Sequence, residues 1–360
     1  MINLRKKSNN LKPKNFRKET LFIIIYFINK SALYTLIILR VYHNMSKSTR
    51  EEILKKLEKK QISKEKLLEL GIDCFSEKTL ERIFNCGNFI QAVMNVDRTS
   101  SKVVKANRCM NRFCPICMAT KSRKDAYMLN IILEYLKSSF DYEFLFLTLT
   151  VPNVTGDELV KELNKQYEAI QRLTKRKEFK AVSKGYVRKT EVTYNQERND
   201  FHPHIHMLIA VDKKYFTSRF LYVKHSRWLE LWKSCRQNDN ISQVNIKKAD
   251  TNSFKELSKY EAKDFEMLSY SQEVFEYFHN ALHGRKTLTY NGCFHIGKKK
   301  FQNGELDSFK ETDPVEYVDT SFHSYELDIS RYKLVKEREL SKNEHLKFNN
   351  MKIMDERIIE

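Results

Sequence analysis

Ten residues near the middle of the chain, Phe201-His202-Pro203-His204-Ile205-His206-Met207-Leu208-Ile209-Ala210, limit its fold more than any other stretch. Three histidines alternate and then give way to an apolar run that continues through Val211. On a strand, side chains two residues apart share a face. His202, His204 and His206 therefore present their rings in a row on one side. The run that follows suits a central strand buried on both faces. Histidines at this spacing on a rigid strand make a divalent-metal site. A row of surface histidines, or histidines satisfied inside a core, is the plainer alternative. Three of the chain's ten histidines in one alternating row weigh against it.

The 360 residues suffice for one large domain or two ordinary ones, each with a real core. A hydrophobic content of 41% excludes a disordered chain. The net charge of +19 calls for a polyanionic partner, nucleic acid first. Seven cysteines, without a secretory n-h-c pattern, fit a reducing cytoplasm and thiolate–metal ligation better than a disulfide framework.

Residues 1–44 combine a basic start with two apolar stretches, Leu21–Ile28 and Ala32–Val41, long enough together for a membrane helix. Asn29-Lys30 interrupts them where a charge is expensive. Met45-Ser46-Lys47-Ser48-Thr49-Arg50-Glu51-Glu52 reads as a capped helix start. The working protein is therefore expected to begin near Met45, with a membrane anchor as the rival reading of 1–44. From Thr49 to about Asn85 the pattern is helical, with Leu54, Leu57, Leu67, Leu68 and Leu70 as an intermittent stripe.

Cys109, Cys114 and Cys117 fall within nine residues, and Cys114-Pro115-Ile116-Cys117 has the spacing at which one turn aims two thiolates at one ion. Cys86 is expected to complete a tetrahedral, all-cysteine structural zinc site, with Cys74 as its rival. Arg108, Arg112, Lys121, Arg123 and Lys124 surround this knuckle and are expected to form a phosphate-contacting, DNA-binding surface. Residues 45–137 are thus read as a helical zinc-knuckle DNA-binding region, 138–300 as a second domain, and 301–360 as a charged C-terminal tail.

In the second region, Glu143–Val151 reads as a strand, Thr155 to about Lys177 as a helix, and Tyr186–Tyr194 and His202–Val211 as strands. Arg227–Cys235 reads as a helix and Gln243–Lys247 as a short strand. The order strand, helix, strand, strand, helix, strand is ferredoxin-like, with an antiparallel sheet, so the class is α+β. A four-residue hairpin loop, Glu197–Asp200, would pair Gln196 with Phe201. That register sets Glu191 opposite His206 and adds a carboxylate to the histidines, giving a mixed nitrogen and oxygen site. A slip of one residue would turn Glu191 away.

Ser253 to Leu268 has helical spacing, with Phe254, Leu257, Phe265 and Leu268 in one stripe. Glu256 and Tyr260 lie side by side, four apart, and Lys263 follows one turn on. Alone, this is ordinary helix surface.

The strand Phe144–Thr150, the His-Pro-His-Ile-His segment and Glu256-x-x-x-Tyr260-x-x-Lys263 occur in a fixed order. Together they resemble the three motifs of HUH endonucleases, in particular the Rep initiators of Gram-positive rolling-circle plasmids. Supporting matches are the cysteine knuckle, Gly185-Tyr186-x-Arg188-Lys189-Thr190-Glu191-Val192, Ala281-Leu282-His283-Gly284-Arg285-Lys286 and Tyr290-x-Gly292. The resemblance covers roughly Cys86 to Lys300. It implies that 138–300 is the HUH catalytic domain of a site-specific nickase acting at a plasmid's double-strand origin, with magnesium or manganese at the histidine site. It further implies that Tyr260 attacks phosphorus, leaving a 5′-phosphotyrosine and a 3′-OH primer, and that Glu256 activates water at termination. The implied partners are plasmid origin DNA, as duplex and as single-stranded hairpin, with a host helicase and polymerase. A homodimer is compatible with this, and membrane attachment is not expected. The alternatives are another HUH nuclease, relaxase or transposase, and a non-enzymatic zinc-dependent DNA-binding regulator.

Overall fold

The computed structural model describes residues 48–250, 253–254, 257, 266–350 and 357–359. The apolar extension 1–44 lies outside them. No helix of the described residues is long and apolar enough to cross a membrane.

The described residues begin with helices α1 (Arg50–Leu70) and α2 (Glu77–Phe84) and the hairpin β1 (Phe89–Met94) and β2 (Ser101–Asn107). Helix α3 (Pro115–Phe140) leads into β3 (Tyr142–Leu149), α4 (Gly156–Leu173), α5 (Lys177–Val182), β4 (Ser183–Asn195) and β5 (Asp200–Asp212). Next come α6 (His225–Arg236), β6 (Val244–Lys248), α7 (Gln272–Leu282), β7 (Leu288–Gly292) and α8 (Cys293–Gln302). The described residues end with β8 (Asp319–Glu326), β9 (Arg331–Glu339), α9 (Lys342–Asn349) and β10 (Arg357–Ile359). The start of α1 is fixed as its sequence predicts. The Thr49 side chain accepts from Glu52 N–H and the Glu52 carboxylate accepts from Thr49 N–H, a reciprocal cap.

Among the described residues the strands form two sheets. One has the order β6-β3-β5-β4-β7, and all its pairs are antiparallel. Its first four positions are the ferredoxin-like arrangement expected of a βαββαβ unit. β5 lies in the middle, so its apolar run is covered on both sides. Ile205, Met207, Ile209 and Val211 pack with Trp228 and Trp232 of α6 on one face. Leu208 and Ala210 pack with Ile132 of α3 and Phe294 of α8 on the other. β7 extends this unit along β4, where Gly185 pairs with Gly292. Gly292 has φ +56, and a Cβ there would lie 2.6 Å from the Lys184 carbonyl oxygen, so only glycine closes this edge.

The second sheet, β10-β2-β1-β8-β9, corrects the domain expectations. Residues 301–360 are not simply a charged tail: β8 and β9 return to pair beside β1. The segment carries no apolar strand pattern, because β8 buries Thr320, Ser321 and His323. The zinc-knuckle region is likewise not wholly helical, since β1 and β2 belong to it. The expected boundary at residue 138 falls within α3, one continuous helix of 26 residues. Cys114 caps its start and Cys117 lies in its first turn, and its later turns bury Leu129, Ile132 and Leu136 on the histidine-bearing sheet.

Candidate metal centres

The β4–β5 hairpin closes through Asn195 opposite Asp200, leaving Gln196–Asn199 as the loop. Asn199 takes a left-handed φ of 51°, a conformation that asparagine tolerates. The loop is one residue earlier than expected, and Glu191 therefore faces His204, not His206. The partner shifts by two positions along β5, so the face is unchanged. Glu191, His204 and His206 converge, with one ligand atom from each lying within 4.8 Å of the others. Glu191 Oε2 stands 3.4 Å from His206 Nε2 and 3.8 Å from His204 Nε2.

The opposite edges of both rings are fixed. His206 Nδ1 meets Thr148 Oγ1 at 3.0 Å, and His204 Nδ1 meets the His202 carbonyl oxygen at 3.2 Å. A carbonyl only accepts, so His204 Nδ1 carries the proton and Nε2 keeps its lone pair for an ion. Phe146 stacks on His206 at 5.5 Å and holds the ring plane. Burial opposes ionisation of Glu191. The hydrogen bond from His206 and the charges of Lys189, His204 and His206 outweigh it and hold the carboxyl down at about 2. Burial, then the neighbouring His206, pushes His204 down to about 4. At neutral pH the pair is an anionic carboxylate and a neutral imidazole, the forms that ligate a divalent cation.

His202 does not join this group. It is half-buried one rung further along, and it lines a polar cavity of about 200 Å³ with Asn153, Thr193, Asn195, Arg198 and Asp200. Lys189, which sequence reasoning passed over, sits in the site instead. It is 3% exposed, faces His206 across the pair, and places Nζ 3.8 Å from Glu191 Oε2. The signal for it was present: it stands two residues before Glu191 and so shares its face.

Tyr260, Glu256 and Lys263 lie outside the described residues, but their flanks are informative. Leu257 is fully buried in the cluster that contains Phe144, Phe146, Leu208 and Ala210, on the histidine side of the sheet. Phe254 meets Phe144 edge-on at 6.1 Å. These two residues keep the expected apolar stripe. Leu268 departs from it, lying in a short 3₁₀ turn, Met267–Ser269, and packing in a different core.

The second group is Cys86, Cys109, Cys114 and Cys117, all buried. Sγ separations are 3.4 Å for Cys86–Cys117, 3.6 Å for Cys109–Cys117 and 3.7 Å for Cys86–Cys114. Zinc–sulfur bonds of about 2.3 Å in a tetrahedron require edges of about 3.8 Å, so the four sulfurs fit one zinc ion. Burial pushes the Cys114 thiol well up, while hydrogen bonds from Cys109, Cys114 and Cys86 hold Cys117 well below its ordinary value. Four buried sulfurs sharing protons in this way can all become thiolates once a cation balances them. Cys86, not its rival Cys74, completes the group. The Cys86 turn is braced from the far end of the chain: Tyr332 on β9 donates to the Gly87 carbonyl at 2.6 Å and accepts from Gln61 at 2.9 Å.

The five expected phosphate contacts are not presented alike. Lys121 and Arg123 are exposed on α3, while Arg108, Arg112 and Lys124 are half-buried. Lys121 is paired with Asp125. Arg112 turns inward and donates to the carbonyls of Leu282 and Arg285, closing the C-terminal end of α7. It serves as a cap.

Comparison with known proteins is consistent with this arrangement. A family described as "Replication protein" matches residues 100–337, from the start of β2 through most of β9, which takes in Cys109, Cys114 and Cys117 but not Cys86. A "Protein rep" of Staphylococcus aureus is 43% identical over 195 residues, 53% of this chain and 85% of that one. A "Protein rep" of Streptococcus pneumoniae is 32% identical over 251 residues, 66% of this chain and 77% of that one. A third "Protein rep", from a Bacillus species, is 26% identical over 264 residues, covering 66% and 85%. No solved structure matches.

Proposed function

The chain belongs to the family of replication proteins, and on that premise we propose that it starts rolling-circle replication by nicking one strand at a plasmid's double-strand origin. The observation that carries the reading is the pair of histidine Nε2 atoms facing Glu191 with both Nδ1 edges tied off. Glu191, His204 and His206 would hold a magnesium or manganese ion, which supplies Lewis acidity toward a phosphate oxygen. Thr148 and the His202 carbonyl orient the two rings for that task. Tyr260 is the nucleophile. Its ordinary pKa of about 10 must fall near the bound phosphate, with Lys263 assisting. The phenolate forms the bond to phosphorus, the bond to the 3′ oxygen breaks, and the freed 3′-OH primes a host polymerase. Glu256, a carboxylate four residues before Tyr260, serves as base for water at termination. The cysteine group would hold a structural zinc that ties the end of α2, the end of β2 and the start of α3. Origin DNA, duplex and hairpin, is the partner.

The test is incubation of the full chain with its own plasmid and Mn²⁺, followed by denaturing gel analysis for protein covalently attached to DNA. A covalent adduct in the wild type and none in Tyr260→Phe supports the assignment. Binding without an adduct leaves a DNA-binding regulator. An adduct in Tyr260→Phe moves the nucleophile elsewhere.

A further inference from the structure

We propose that Lys189 is a second cationic contact for the scissile phosphate, acting beside the ion that Glu191, His204 and His206 would hold. The inference rests on the nicking reading above and adds a residue to that site.

Lys189 lies in the floor of the site, not on its rim. It precedes Glu191 by two residues on β4, stands opposite His206, and is 3% exposed, with its ammonium 3.8 Å from the Glu191 carboxylate. Keeping an ammonium there is costly unless opposite charge compensates it. Glu191 offers that charge, but Glu191 is also the carboxylate of the metal group. A dication, Lys189 and Glu191 together leave two positive charges facing the substrate. A phosphodiester brings one negative charge, and an attacking phenolate brings a second. The pentacoordinate phosphorus between them is therefore a dianion, and Lys189 makes the site's charge match it. Donors fixed where charge develops stabilise that state more than the ground state. In the step itself the Tyr260 phenol releases its proton to solvent and its oxygen bonds to phosphorus. The phosphorus–3′-oxygen bond breaks, and the 3′ oxygen takes up a proton. Lys189 donates hydrogen bonds to a non-bridging oxygen throughout. A lysine that merely neutralised Glu191 would instead slow nicking, by competing with the ion.

The two roles separate in experiments on the full chain carrying Lys189→Met, Lys189→Gln or Lys189→Arg, with thermal melting as the control for folding. The first probe is a single-stranded oligonucleotide bearing the plasmid's nick site, with either a phosphate or an uncharged methylphosphonate at the scissile position. Binding is read by fluorescence anisotropy in chelator, without nicking. The wild type and Lys189→Arg should prefer the phosphate by about tenfold or more, and the Met and Gln variants should lose that preference. The second readout is nicking at saturating Mn²⁺. It should fall about a hundredfold in the Met and Gln variants while electron spin resonance shows Mn²⁺ bound more tightly. Undiminished phosphate preference, or tighter Mn²⁺ with nicking at or above the wild-type rate, overturns the proposal. A wild type that prefers the phosphate yet never nicks leaves Lys189 as a phosphate contact and removes the nicking reading instead.

Discussion

Replacing Cys86 by alanine should strip much of the affinity for zinc, whereas replacing Cys74 should not. Cys86 is 1% exposed and lies 3.4 and 3.7 Å from the sulfurs of Cys117 and Cys114. Structural zinc binding is worth about 10–16 kcal/mol, so a quarter share for one of four thiolates is about 2.5–4 kcal/mol. At 1.4 kcal/mol per tenfold, zinc should bind roughly 10²–10³-fold more weakly. Because zinc stabilises only the folded state, that loss also appears as lower stability at a fixed free zinc concentration. A deficit of about 3 kcal/mol lowers the melting temperature by roughly 6–12 °C in a domain of 150–250 residues. Cys74 is only partly buried at the edge of the same core, and its alanine variant should keep wild-type zinc affinity. The assay is competition with a chromophoric chelator, paired with thermal melting in zinc-buffered solution. Full zinc affinity in Cys86→Ala, or its loss in Cys74→Ala, would show that the four sulfurs do not act as one site. After exhaustive chelation the wild type and Cys86→Ala should melt close together, because the ion no longer distinguishes them.

Three further outcomes are expected. Thr148→Val removes the hydroxyl that meets His206 Nδ1 while keeping the side chain's volume; Mn²⁺ affinity measured by electron spin resonance should drop 10–100-fold with the melting temperature little changed. Glu256→Ala should still form the covalent adduct but fail at termination, so gels of replication products should show multimeric single strands, and normal monomer circles would argue against its role as base. Arg112→Ala should cost about 1 kcal/mol of stability through the uncapped end of α7, and its DNA affinity should keep the wild-type dependence on salt, whereas a clear fall in that slope would restore Arg112 as a phosphate contact.

The residues of the candidate site were legible because strand alternation is a local property. His204, His206 and Glu191 occupy alternate positions on adjacent strands, and any register shift of an even number keeps them on one face. The hairpin loop was misplaced by one residue, yet that moved Glu191 by a full rung and not to the other side. The cysteine spacing was legible for a similar reason: Cys114 and Cys117 are held one turn apart by the start of α3. Lys189 was less visible: its spacing puts it on the face of Glu191, but lysine is common in this chain and usually solvated, and its burial is what sets it apart.

The sequence by itself determined the βαββαβ order, the apolar centre of β5 and the sharing of one face by the histidines and the carboxylate. Each follows from a period of side chains along a single element. Tertiary structure decided which residue faces which across the hairpin and that Cys86 rather than Cys74 closes the sulfur group. It also decided that α3 joins the cysteine group to the histidine-bearing sheet. It brought β8 and β9 back beside β1, with Tyr332 bracing the Cys86 turn. These outcomes depend on contacts between segments far apart in the chain. They are settled by which polar and apolar groups can be buried together, and no local pattern encodes that.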